Sequence, residues 1–127
     1  MALLEDINTK LEADSVTGGA TGWTVRIGPM TDQIDQLVVL AETGGFPPDQ
    51  FGSTLSGEQT FQVRVRAGRR RYDTARSKMQ DVFNSLNAST ISGHFYTYAL
   101  SSGPLFMGFD ANERPEFVQN FKVRKAL

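Results

Sequence analysis

"TFQVRVRAGRRRYDTARSKMQDVFNSL", residues 60–86, changes its hydrophobic period once, at Gly68. Before the glycine, Phe61, Val63 and Val65 alternate with Gln62, Arg64 and Arg66, the period of two of a half-buried strand, here running over "QTFQVRVRA". Beyond it, Tyr72, Ala75, Met79, Val82, Phe83 and Leu86 gather on one face of a 3.6-residue repeat. That spacing predicts a helix over 71–87, with the Asn-Ala after Leu86 as its stop. A strand feeding straight into a long helix implies a sheet with that helix packed against it.

The same region carries a charge anomaly. Residues 63–78 hold seven of the thirteen Lys and Arg residues: Arg64, Arg66, Arg69, Arg70, Arg71, Arg76 and Lys78. Asp73 is the only acid there, so the window carries +6 in a chain of net charge −1. Arg64 and Arg66 share a strand face. Arg69, Arg70 and Arg71 follow in the strand-to-helix turn, where positive charge opposes the helix dipole by a few tenths of a kcal/mol or more. Local stability therefore does not explain the triplet. Three readings stand: solvated or intrachain-paired charges, contact with phosphate, and ion pairing between subunits. Between Arg64 and Arg71 no aromatic residue is interleaved with the arginines, as a base-stacking platform requires.

Outward from this core, Leu3, Leu4, Ile7 and Leu11 predict a short amphipathic helix over 2–14, with Glu5 and Asp6 suited to its N-terminal end. "SVTGGATG" reads as a loop. "WTVRIGPM" alternates as a first strand, and "LVVLAET" reads as a strand buried on both sides near the sheet centre. "GGFPPDQFGSTLSG" has the composition of an irregular loop that carries large apolar side chains. "HFYTYAL", "LFMGF" and "EFVQNFKVR" complete the strands, with a turn at "DANE". The expectation is one α+β domain over 1–127, a mixed or mainly antiparallel sheet with two helices on one face, in the order α-β-β-β-α-β-(β)-β.

A chain of 127 residues, 39% hydrophobic and with nine Phe, buries a core without staples. No apolar run approaches the roughly 20 residues of a membrane helix, and the N-terminus lacks the pattern of a secretory leader. A soluble, non-exported protein is expected, and the absence of Cys suits a reducing compartment. His94, the single histidine, reads as a strand residue packing its ring, since a catalytic triad needs partners that are missing from the sequence around it. Asp32, Asp35, Asp110 and Glu113 read as solvated turn residues because none follows calcium-loop spacing. The Gly-Gly pairs lack the Lys-Ser/Thr ending of a phosphate loop. No catalytic, cofactor-binding or metal-ligating residue is expected, and the protein is read as a non-enzyme.

Three stretches in order then meet a known pattern: "LVVLAETGGFPPDQ", "TFQVRVRAGRRRYDTARSKMQDVFNSL" and "LFMGFDANERPEFVQNFKVR". The chain resembles the tail terminator family of long-tailed bacteriophages, also labelled minor capsid or head–tail joining proteins. The matching positions are Glu42 to Pro48, Phe61 to Arg66, Arg69 to Ala75 and Phe106 to Phe121. The resemblance implies a structural virion protein, a homo-hexameric ring at the head-proximal end of the tail tube. Such a ring stops tube polymerisation, docks a head-completion or connector protein and lets phage DNA pass. Its implied partners are copies of itself and the major tail tube protein, with no membrane. It implies a place at the head–tail interface of a virion assembled in the host cytoplasm. On this reading Arg64, Arg66, Arg69, Arg70 and Arg71 are candidates for a subunit interface or for the DNA channel. Gly44, Gly45, Phe46, Pro47, Pro48, Asp49 and Phe51 are candidates for a docking loop. The competing class is a small α+β nucleic-acid-binding module using the Arg64 to Arg71 patch.

Overall fold

Strand β3 (Thr54–Arg66) does run into helix α2 (Tyr72–Leu86), and around this pair the chain builds the predicted order. The other elements are α1 (Leu3–Ala13), β1 (Thr24–Ile27), β2 (Leu37–Phe51), β4 (Tyr96–Ala99), β5 (Leu105–Phe109) and β6 (Pro115–Ala126). The computed structural model describes residues 3–18, 21–29, 33–51, 54–90, 96–101 and 103–126; along 44–58 and 125–126 it describes backbone only. His94 and Asp32 lie outside the described residues.

The strands form one mixed sheet in the order β1-β2-β3-β6-β4, with β5 also on β6. Only β1 and β2 run parallel; the other pairs are antiparallel. β6 is paired along one side by β3, from Arg66↔Glu116 to Ser56↔Ala126. Its other side is shared end to end, β5 taking the stretch before Gln119 and β4 the stretch from Phe121 to Arg124. One end of the sheet is thus made of two short strands and the other of β1.

The helices pack on one face, where the sheet presents Val38, Leu40, Phe61, Val63, Val65, Phe117, Phe121 and Val123. Phe61 and Phe121 face each other across the β3–β6 ladder with rings stacked at 5.3 Å. From α1 come Leu3, Leu4, Ile7 and Leu11, and from α2 Ala75, Met79, Val82 and Leu86. Each of these side chains larger than alanine contributes roughly 1.5–3 kcal/mol on removal from water, before entropy is counted. Side chains tie the two helices together: Ser85 donates to Asp14 at 2.6 Å, and Asp14 pairs with Lys10 at 2.8 Å. The Lys78 ammonium donates to the Val16 carbonyl at 2.8 Å and lies 5.3 Å from the Trp23 ring centre. α2 ends as predicted, with Asn87 N–H on the Phe83 carbonyl and Ala88 at φ 56°.

One expectation is corrected. "GGFPPDQFGSTLSG" is not an irregular loop, because its described residues extend β2 and β3 into a long antiparallel hairpin. The ladder accommodates the composition by skipping residues. Register shifts fall between Glu42 and Gly44 and between Phe46 and Asp49, so Pro47 and Pro48, which have no N–H to donate, stand outside the pairing. The candidate docking residues Gly44, Gly45, Phe46, Pro47, Pro48, Asp49 and Phe51 therefore run as strand backbone. Their side chains lie outside the described part.

Candidate functional site

The turn joining β3 to α2 is built against a second turn, the one joining β5 to β6. Arg70 N–H donates to the Glu113 carbonyl at 2.8 Å and Ala67 N–H to the Pro115 carbonyl at 3.3 Å. Each turn places a non-glycine residue in the left-handed region, Arg70 and Glu113 both at φ 60°. The hydrogen bonds offset the steric cost of that conformation, about 1–2 kcal/mol per residue. Within the first turn, Arg71 N–H returns to the Gly68 carbonyl at 3.0 Å, and α2 starts without a side-chain cap.

The five candidate arginines do not form one patch. Arg69 and Arg70 are exposed, and the Nε of each donates to the same Glu113 carboxylate oxygen at 2.8 Å. Hydrogen bonds from Arg70 first and Arg69 second hold the Glu113 carboxyl below its ordinary value of 4.5. Arg71 is exposed at the helix start. Arg64 lies on the helix-free face of the sheet, 4.0 Å from Glu116.

Arg66 corrects the sequence reading outright: it is 1% exposed, and its guanidinium donates to the Ile34 carbonyl. The strand face read as solvent-facing is covered at that point by the segment before β2. Part of the basic window is thus neutralised by acids of the same chain that lie over 40 residues away.

Arg114 was not singled out by the sequence as a site residue, yet it is only 3% exposed. Its Nε donates to Asp110 Oδ2 at 2.8 Å, and its Nη1 reaches Asp35 at 3.3 Å. Asp110 is not the solvated turn residue expected. Partial burial pushes its carboxyl up, but hydrogen bonds from the Arg114 backbone and side chain and from Asn112 N–H outweigh this and hold it below 3.8. The available signal was the Asp-x-x-x-Arg spacing across a turn.

Beside these turns lies an apolar edge. On β5, Leu105, Phe106, Met107 and Phe109 are all exposed, Met107 at 57% and Phe109 at 53%. Tyr72, the first residue of α2, lies edge-on to Phe106 and to buried Phe117, with ring centres 5.1 Å apart in each case. Phe106 also meets Phe109 at 5.4 Å and Phe117 at 5.2 Å. The core therefore continues through Phe117 into an aromatic cluster that reaches the surface. Sequence reading placed Tyr72 in the helix face and "LFMGF" in a strand, without showing that they meet.

Among the described residues no three His, Asp or Glu side chains gather as a metal-ligand set, and no helix is long and apolar enough to cross a membrane. The grooves are polar; one between the ends of the helices is lined by Asp14, Ser15, Val16, Asp81, Asn84 and Ser85.

A family model described as bacteriophage tail terminator protein matches residues 7–127. None of the curated proteins compared with the chain matches it. Among solved structures, a chain of the virion of a native gene transfer agent particle is similar with a TM-score of 0.70 and 14% identity, covering 99% of this chain and 96% of that one. At that identity the likeness is one of fold.

Proposed function

The chain belongs to the bacteriophage tail terminator family, and on that premise we propose that it caps the head-proximal end of the tail tube as a homo-hexameric ring. The ring stops addition of tube protein and offers the surface on which the head-completion or connector protein docks, with phage DNA passing through its centre. The observation that carries this reading is the family match along nearly the whole chain. The likeness in fold to a virion chain and the apolar edge on β5 support it. A heterologous ring needs two different complementary surfaces on each subunit, and this domain has two dissimilar sheet ends.

The alternative, a nucleic-acid-binding module using Arg64 to Arg71, is less well supported. Arg66 is interior, and Arg69 and Arg70 share a carboxylate within the chain. The β2–β3 hairpin, rather than a loop, is the element proposed to reach a neighbouring virion protein. The test is to assemble particles without this chain. Tubes of uncontrolled length and unjoined heads, restored to normal by supplying the chain, are the expected result; normal joined particles in its absence would refute the reading.

A further inference from the structure

Large hydrophobic side chains exposed among the described residues sort to the two ends of the sheet. Ile27, 47% exposed, stands on β1 at one end. At the other are the four on β5 and Tyr72 beside them, followed by Tyr96 and Leu100 on and next to β4. Neither β4 nor β5 contains a charged residue or a proline, which are the usual means of keeping an exposed edge from pairing. Their shortness and the bulge between Phe106 and Gly108 limit pairing at this edge without closing it. A fully buried aromatic side chain removes roughly 150–250 Å² from water. The five on and beside β5, each about half-exposed, thus present on the order of 500 Å² of mainly apolar surface, in the upper range of what a monomer carries and the larger part of the ~800 Å² per partner of a specific interface.

We propose that the β5 edge, with Tyr72, is one half of the contact between copies of this chain, and that the β1 edge of the next copy covers it. The sheet then runs on from subunit to subunit. This rests on the ring reading above and names its interface. A head-to-tail contact requires two unlike edges on each subunit, and the ends of this sheet are unlike. β1 and β5 are of similar length, four and five residues, so one can lie along the other. Ile27 meets the Met107 and Phe109 cluster in this arrangement, and the exposed apolar residue of β1 leaves water together with those of β5.

The chain contains no cysteine, so paired thiols can be introduced without competitors. Ile27→Cys and Met107→Cys are made singly and together in the full chain and carried into particles. Oxidation of the double variant should give a covalent ladder ending at the copy number of the ring, and neither single variant should form one. Met107→Glu should lower incorporation by at least about tenfold while its thermal melt matches that of the parent, since Met107 is largely exposed. Particles with a visible ring in which the double variant stays monomeric, or in which Met107→Cys links to a different protein, would overturn the edge assignment and leave the ring reading intact. Full incorporation of Met107→Glu would overturn it as well. Particles that are capped without any ring would overturn the ring reading itself.

Discussion

Arg114 and Asp110 close the β5–β6 turn from both sides: Asp110 Oδ1 accepts the Arg114 N–H at 2.9 Å while Oδ2 accepts its Nε at 2.8 Å. One carboxylate thereby fixes both the backbone and the side chain of a buried arginine, which then holds Asp35 near the start of β2. The turn that carries Glu113 is set by this pair.

Arg114→Ala should destabilise the domain by about 2–4 kcal/mol, because it empties a buried site and removes the Nε donor to Asp110 Oδ2. Arg114→Lys should recover only part, since an ammonium cannot serve Asp110 and Asp35 in the same planar geometry. Urea unfolding of the two variants measures the difference.

Replacing Arg69, Arg70 and Arg71 together by Ala should change folding stability by less than about 1 kcal/mol. Two of the three share one exposed carboxylate, and all three face a helix N-terminus that gains nothing from positive charge. A loss well above that value in denaturant titration would mean that the paired turns depend on these side chains and not on the backbone bonds at Arg70 and Ala67.

Asp14, Asp110 and Glu113 all have carboxyls held below their ordinary values. The folded form therefore binds fewer protons than the unfolded form between the lowered and ordinary values. Their stabilisation is fully present above the ordinary values of 3.8 and 4.5 and is lost as pH falls through the lowered ones. The urea midpoint should be level from neutrality to about pH 5.5 and fall below about pH 4. Asp110→Asn should be less stable at neutral pH and show a shallower fall.

Ala88 follows α2 at φ 56°, a conformation costing an L-residue about 1–2 kcal/mol. Glycine removes that cost but returns about 0.4–1 kcal/mol through the freedom of the unfolded chain. Ala88→Gly should therefore be mildly stabilising, by about 0.5 kcal/mol or a rise of about 2 °C in Tm. An unchanged or lower melting temperature would show that glycine is not favoured at this helix end.

The sequence by itself determined the two helices, the alternating strand β3, the buried strand β2 and the element order. Each of these rests on a period within one segment: the faces of α1 and α2 and the alternation of Phe61, Val63 and Val65 need no distant partner to be recognised. Pairing decided the hairpin, where "GGFPPDQF" reads locally as a breaker but is held extended by β3, with the prolines set at a bulge. Packing decided the fate of the arginines. Alternation places Arg64 and Arg66 on the same polar face, yet the Ile34 carbonyl, just before β2, binds the buried Arg66 guanidinium while Arg64 stays partly exposed. Glu113 meets Arg69 and Arg70 from 44 and 43 residues away, and Tyr72 meets Phe106 on an edge strand. No local period encodes such a contact, because it depends on how β6 brings the β5–β6 turn alongside the start of α2.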